Sequence, residues 1–576
     1  MGLLFALTLI FVAIQGRRSA PRPAPDSAGL RFEEVARAVG VAFTHTKPRI
    51  DELVAHVEPQ VAATGAAVSM TDVNADGWPD LYAVTSGEGE NNGLFVNRGD
   101  GTFEDRAAEA GLADLNRDGT GASMGSIWAD VDGNGLEDVL VYKWGRSQLF
   151  LNRGDLRFEN VTETSGLDAW VNSNCATWID YDRDGLLDLF LAGYYDENLD
   201  LTRLETTKIF HDSLEFAQNG GENHLYRNLG NGRFEDVTEA AGMTSRRWTY
   251  AAVAADFDRD GWPDLYVAND YGSEELWLNR GGERFELARW IGLDGESKSG
   301  MCVALGDTKN EGRYSVFVTN ISKRGFLFQG NNLRLNLMDE ARGFQQRGRG
   351  AVLDCGWAWG AQFGDLDDDG RQDLVVVNGF VSASTERDYW YQMSKLGGAA
   401  GGLVVDAQNW PAFEDRSLSG YERTRVLLNQ GGSAPKFVES GLEVGVDDTY
   451  DGRAVALGDL DRDGDLDIVI ANQAGPLLIY RNQNASPGHW IAFDLVGLAP
   501  NTSAIGAEVE VAFGDGKQLQ VVAAAMGFSS QNERRLHFGL GDVQGPVSAT
   551  IRWPSGKISE LSGLEVDTAH HVQQTP

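Results

Sequence analysis

Seven times along the chain an alternating apolar strand runs into a nine-residue loop rich in aspartate, and the loop runs into a second apolar strand. The loops read DVNADGWPD from Asp72, DVDGNGLED from Asp130, DYDRDGLLD from Asp180, DFDRDGWPD from Asp256, DTKNEGRYS from Asp307, DLDDDGRQD from Asp365 and DLDRDGDLD from Asp459. The strands behind them, among them LYAVT, VLVYK, LFLAG, LYVAN and IVIAN, are rich in β-branched and aromatic residues that suit a pleated, half-buried surface. Most copies add a third strand that ends in Asn before Gly99, Gly154, Gly230 or Gly281, and several add a fourth that opens on Phe103, Phe158 or Phe234. Four strands per unit, repeated seven times, predict an all-β fold: a seven-bladed β-propeller.

The chain ends test that count. After the seventh loop only two more strands precede a change of character near residue 485, so the last blade lacks its outer strand. The segment FEEVARAVGV from Phe32 carries the outer-strand pattern, and pairing it there closes the ring and hides the edges of an open sheet. The expected organisation is a propeller over 29–484, a small C-terminal β-domain over 485–571 and a tail at 572–576. Residues 1–16, MGLLFALTLIFVAIQG, form an apolar run too short to span a bilayer as ~20 helical residues would. With Arg17, Arg18 and a Pro/Ala/Ser linker behind it, the run makes 1–28 a secretory signal or a short anchor plus linker. No other segment predicts a membrane span. Two longer insertions fall at 195–224 and 380–425, on excursions of the kind where binding usually resides.

In D-x-[DN]-x-[DN]-G-x-x-D the first, third, fifth and ninth side chains offer hard oxygen ligands, and the seventh residue can add its carbonyl. Calcium takes six to eight oxygens in a flexible shell, whereas magnesium demands a tight octahedron. The loops end at position nine between strands, which excludes an EF-hand, whose glutamate stands at position twelve between helices. Glycine at position six permits the reversal that lets alternate carboxylates converge. The predicted ligands are Asp72, Asn74, Asp76 and Asp80; Asp130, Asp132, Asn134 and Asp138; Asp180, Asp182, Asp184 and Asp188; Asp256, Asp258, Asp260 and Asp264; Asp365, Asp367, Asp369 and Asp373; and Asp459, Asp461, Asp463 and Asp467. These six loops call for about six structural Ca2+ ions. The fifth copy puts Lys309 at the second carboxylate and Ser315 at the last, so the loop at Asp307 is expected to be metal-free.

Composition narrows the function. The 576 residues carry 85 acidic and 49 basic side chains, a net charge of −36, which would repel a nucleic-acid backbone or an anionic membrane surface. Three cysteines build no disulfide framework. Cys175 and Cys302 stand five residues before a loop aspartate, where other copies carry Ala or Gly, and read as packed strand residues, while Cys355, in an equivalent glycine-rich approach, reads as structural rather than redox-active.

At its loops the sequence resembles the FG-GAP/VCBS repeats of integrin α-chain propellers, in which loops of this form hold calcium. Its C-terminal phrases, HWIAFDLVG from His489, SAIGAEVEVAFGDG from Ser503, GFSSQNERRLHFGLGD from Gly527 and IRWPSGKISEL from Ile551, resemble the ASPIC/UnbV domain. Over most of its length the chain is similar to the cartilage-acidic-protein-like family. The resemblance implies a secreted calcium-binding protein, with animal members associated with extracellular matrix and adhesion.

No nucleophile elbow, zinc-protease helix, P-loop or dinucleotide fingerprint is present. The nearest approach to a catalytic cluster is His211, Asp212 and Glu215 in the first insertion with Glu386, Arg387, Asp388 and Tyr389 in the second. The leading expectation is a secreted, periplasmic or cell-surface calcium-binding propeller that contacts an extracellular protein or glycan. The alternative is an extracellular polysaccharide hydrolase or lyase built on the insertions. Two RGD triplets, Arg98-Gly99-Asp100 and Arg153-Gly154-Asp155, fall inside the repeat's N-R-G-D turn and read as that turn. The run from Glu533 to His537 reads as a solvated hairpin, with anion binding as its functional alternative.

Overall fold

A computed structural model of the chain describes residues 29–293, 298–396, 401–432, 434–485, 488–543 and 545–576. The expected signal or anchor at 1–28 lies outside the described residues. Each Asp-rich loop joins the first two strands of an antiparallel sheet, and position nine of the loop is the first residue of the second strand. The first sheet, for example, runs Ala67–Thr71, Asp80–Val84, Gly93–Asn97 and Phe103–Asp105. Among the described residues seven four-stranded units of this kind follow in chain order. The last consists of Asp451–Gly458, Asp467–Gln473 and Leu478–Asn482, and its fourth strand is Phe32–Glu34, paired Phe32 to Asn482 and Glu34 to Tyr480.

What ties one sheet to the next is the asparagine that ends the third strand. Its buried amide donates to the backbone carbonyl at position two of the preceding loop, and it does so in all seven units. Asn97 reaches Leu460, Asn152 reaches Val73, Asn228 reaches Val131, Asn279 reaches Tyr181, Asn336 reaches Phe257, Asn429 reaches Thr308 and Asn482 reaches Leu366, at 2.8–3.1 Å. Because Asn97 of the first unit bonds to Leu460 in the last, these bonds form a closed circuit, the ring of a β-propeller. In the six units that carry a ninth-position carboxylate, the same asparagine's backbone N–H donates to it, as from Asn228 to Asp188 at 2.8 Å; in the fifth, Asn336 donates to the Tyr314 carbonyl instead.

Replacing Asn228 with alanine strands the carbonyls of Val131 and Leu187 in the interior, since its amide serves both. The expected loss is about 2–3 kcal/mol in chemical denaturation, the desolvation of two unpaired acceptors. Unchanged stability would show that the circuit contributes nothing.

The C-terminal region folds as two sheets. One orders Leu536–Gly541, His489–Val496 and Thr568–Gln573; the other orders Gly516–Val521, Glu508–Phe513, Val547–Arg552 and Ile558–Leu564. Thr568–Gln573 pairs through to Val496 with Gln573, so the strand runs into the residues expected as a tail at 572–576.

Candidate metal centres and the face that covers them

Each loop is shaped by its own carboxylates. The position-one aspartate accepts N–H groups from positions five and six, as Asp72 does from Asp76 and Gly77 at 3.1 and 2.8 Å and Asp365 does from Asp369 and Gly370 at 3.1 and 2.8 Å. The position-five side chain accepts from position seven, as Asp260 does from Trp262 at 2.9 Å. Position six holds φ of +90° at Gly77 and +100° at Gly464, which only glycine adopts freely. Position four is also left-handed, at Ala75, Arg183, Arg259, Asp368 and Arg462, a turn that the residue types there do not announce.

Carboxylate oxygens converge to within 4.8 Å in five of the six predicted loops, but never with all four predicted ligands. Asp130, Asp132 and Asp138 meet in the second loop, Asp180, Asp182 and Asp188 in the third, and Asp365, Asp367 and Asp373 in the sixth. Positions one, three and five meet instead in the fourth loop, as Asp256, Asp258 and Asp260, and in the seventh, as Asp459, Asp461 and Asp463. The first loop forms no such group. Its third position is Asn74, whose amide donates to Asp76 at 2.8 Å. In the second loop Asn134 likewise turns its amide to the carbonyl of Asn152 at 3.0 Å.

Burial holds many of these acids protonated in the ion-free chain. Desolvation pushes Asp80, Asp138 and Asp264 up to about 8 and Asp180 up to about 7. Oxygens of Asp256, Asp367 and Asp461 are buried with no hydrogen-bond partner. Third-position carboxylates also take an arginine from the end of the third strand or just beyond it: Arg153 on Asp132 at 2.6 Å, Arg227 on Asp182 at 2.9 Å and Arg481 on Asp461.

The fifth loop differs in kind. Asp307 accepts N–H groups from Lys309, Glu311, Gly312 and Arg313, and a further one from Leu519 of the C-terminal region. Lys309 pairs with Glu311, and the hydroxyls of Thr308 and Ser315 bond to each other at 2.7 Å where the ninth carboxylate would stand.

The C-terminal region sits on this face. The hydroxyl of Thr502 donates to Asp130, Ser503 accepts from the Asp130 N–H at 2.9 Å, and His537 bonds to Asp368 at 2.8 Å. From here residues 526–534 enter the centre of the ring and touch every sheet. Ser530–Gln531 pairs in parallel with Val68 and Ser69. Gln531 accepts from the Trp128 N–H at 2.9 Å, and Ser529 donates to the Asn174 carbonyl at 3.3 Å. The Phe528 ring lies 5.6 Å from that of Tyr250 and 5.1 Å from that of Trp359. Gly527 donates to Val303 at 2.8 Å, Gln362 to Met526 at 2.7 Å, and Glu533 to Leu457 at 3.1 Å. The run from Glu533 to His537 is therefore no solvated hairpin: it packs against the loops, with Arg534 on Glu137 and His537 on Asp368, while Arg535 pairs with Asp494 of the C-terminal region.

Family profiles agree with this layout. The FG-GAP-like repeat matches residues 72–141, 130–191, 215–267 and 256–318, an FG-GAP repeat matches 452–487, and the ASPIC and UnbV domain matches 497–576. The chain is an FG-GAP repeat protein with a C-terminal ASPIC/UnbV domain. This FG-GAP protein is 22% identical over 528 residues to cartilage acidic protein 1 of Xenopus tropicalis, covering 86% of this chain and 71% of the relative. It is 23% identical over 520 residues to the Mus musculus protein of that name, with the same coverages. Among solved structures, the BP39L lectin of Burkholderia pseudomallei aligns with 73% of this chain and 97% of its own, at 13% identity and a TM-score of 0.42, too low to support an argument.

The FG-GAP protein's two insertions join second to third strands and so lie on the edge of the ring opposite the Asp-rich loops. They meet there: the Phe210 and Trp410 rings lie 4.3 Å apart, and the Thr207 hydroxyl donates to Asp406 at 2.6 Å. The candidate catalytic cluster is not assembled. His211 is fully buried, stacked 3.6 Å from Tyr271 and bonded through Nδ1 to the Ser213 carbonyl, and desolvation lowers it to about 4. Asp212 accepts the Gln218 N–H at 3.1 Å. Glu386 and Asp388 are exposed, Asp388 caps the Trp390 N–H at 2.9 Å, Arg387 pairs with Glu414 and Asp415, and Tyr389 is buried on Phe413. Both RGD triplets are turns, with Arg98 on Glu104 and Asp100 taking the Thr102 hydroxyl at 2.6 Å. The three thiols are buried and pushed up to about 12.

Proposed function

We propose that this protein is a calcium-braced β-propeller acting outside the cytosol as an interaction module, with an extracellular protein or glycan as its partner. The observation that carries the calcium reading is the convergence of three carboxylates within 4.8 Å in each of five loops, with buried oxygens of Asp256, Asp367 and Asp461 left unpartnered. An all-oxygen, largely carboxylate donor set in an irregular loop suits calcium. The five groups would hold five ions. In the first loop Asp72, Asn74, Asp76 and Asp80 would hold a sixth more weakly, after the Asn74 amide turns over. The loop at Asp307 would hold none, its carboxylate already being saturated by N–H donors. Several of these ions would stand between the ring and the ASPIC/UnbV domain and fasten the two together.

The likeness to cartilage acidic protein 1 supports an extracellular setting, where millimolar calcium fills sites with Kd of ~10⁻⁴–10⁻³ M. Among the described residues no helix is long and apolar enough to cross a membrane. The contacting surface is the insertion face, since the loop face is covered, and it exposes Leu214, Phe216, Tyr391 and Leu403. Calorimetric titration of calcium into chelator-stripped protein is expected to count five or six sites, with Asp367→Asn removing one. A titration that finds none would overturn the reading.

A further inference from the structure

A second site is written in two arginines that have no partner. With 85 acidic side chains against 49 basic ones, arginines in this chain readily find carboxylates, yet among the described residues Arg183 and Arg552 have neither an ion pair nor a hydrogen bond to one. Both line one cleft of about 570 Å³ between the third and fourth loops and the ASPIC/UnbV domain. Their isolation has a geometric cause. Arg183 occupies the left-handed fourth position of its loop, while its neighbour Asp182 is held by Arg227 at 2.9 Å. Its guanidinium lies 4.6 Å over the Trp262 ring, which orients it without neutralising it. Arg552 stands directly across the strand pair from Glu508, its natural counter-ion. Glu508 is spent elsewhere, on Arg259 at 2.7 Å and on the Tyr314 hydroxyl at 2.6 Å. Arg183 Nε and Arg552 Nη1 are both buried from solvent with no acceptor.

Two partly buried guanidiniums lining one cleft are stabilised by an anion within it, because each carries a charge-assisted N–H donor that finds no acceptor among the described residues. The space far exceeds a bare oxyanion and falls in the range of small-ligand pockets. Its rim carries Pro554 and Ile558, against which a ligand body could rest. We propose that this cleft binds a small organic anion, a carboxylate or a sulfate ester, whose charged group is met by Arg183 and Arg552. The other carboxylates of the cleft, Glu311, Asp339, Glu508 and Glu510, are paired with Lys309, Arg313, Arg259 and Lys517, and the inference rests on the preceding reading in one respect: calcium in the third and fourth loops would cancel the field of Asp180, Asp256 and Asp260, which border the same cleft.

The test is calorimetric titration of the full chain, with calcium and with chelator, using glucuronate, inorganic sulfate and glucose as probes. Glucuronate is expected to bind calcium-loaded protein, sulfate to bind more weakly and glucose not at all. Arg183→Met and Arg552→Met should each weaken glucuronate binding about tenfold or more with unchanged melting temperature, while Arg289→Met, at an exposed position outside the cleft, should not. Glucuronate binding in neither condition overturns the inference whatever the calcium titration shows. Sulfate binding as tightly as glucuronate overturns the organic body, glucose binding as tightly overturns the anion, and unchanged affinity in both arginine variants overturns the site. Binding lost only in chelator upholds both readings together.

Discussion

Chelator-stripped and calcium-loaded protein are expected to respond to pH in opposite directions. In the ion-free chain burial holds Asp80, Asp138 and Asp264 up to about 8, against an ordinary aspartate value near 4. The native state thus keeps protons that the unfolded chain releases, and stability falls as pH rises through the window from about 4 to about 8. An ion reverses the sign, since it binds only the ionised carboxylates and protons compete with it. Near neutral pH, with calcium at about 100 times its Kd, each ion adds about 2.7 kcal/mol by mass action. Five such ions would separate the two forms by more than about 10 °C in melting temperature. Differential scanning calorimetry from about pH 5 to about pH 8, with calcium and with chelator, measures this. Parallel pH dependence in the two conditions, with no calcium-induced rise near neutral pH, would mean that the loops are turns and nothing more.

Phe528→Ala is expected to destabilise the ring and the C-terminal domain together. The side chain is fully buried between Tyr250 and Trp359, and its removal opens a cavity within the segment that touches all seven sheets. Losing a buried phenylalanine costs about 3–5 kcal/mol. Because residues 526–534 touch every sheet, the loss should appear as one unfolding transition shifted to lower temperature. A ring that melts at its original temperature while the C-terminal domain melts early would show that the plug is a passive filling.

Much of this architecture was legible in the chain because it is local. Alternation of apolar residues at a period of two specifies a strand wherever it lies, and Gly77 or Gly464 at position six specifies the reversal of its own loop. Repetition then supplied the number of units, and the stray strand at Phe32–Glu34 supplied the closure, since its pattern matched the strand missing after Asn482. The asparagines before Gly99, Gly154, Gly230 and Gly281 were visible as punctuation. Their work was not, because a side-chain amide that reaches the preceding unit leaves no mark on its neighbours in sequence.

The ligand lists show the same division. The residue types at positions one, three, five and nine announced hard oxygen donors. Which oxygens converge depends on rotamers and on competitors such as Arg153, Arg227 and Arg481, which arrive from the end of the third strand or just beyond it. Asp264 and Asp467 fit the consensus as well as Asp138 does, yet they stand apart from the converging groups of their loops.

By itself the sequence determined the strands, the loops, the repeat number and the donor chemistry, all of which follow from backbone conformation and residue type within a few dozen positions. Only the tertiary structure decided that a C-terminal segment plugs the ring, that His211 is buried apart from the exposed Glu386 and Asp388, and that Arg183 and Arg552 share one cleft. Those facts depend on contacts between residues hundreds of positions apart, where burial and the competition for partners are set by the packed whole, and no local pattern records them.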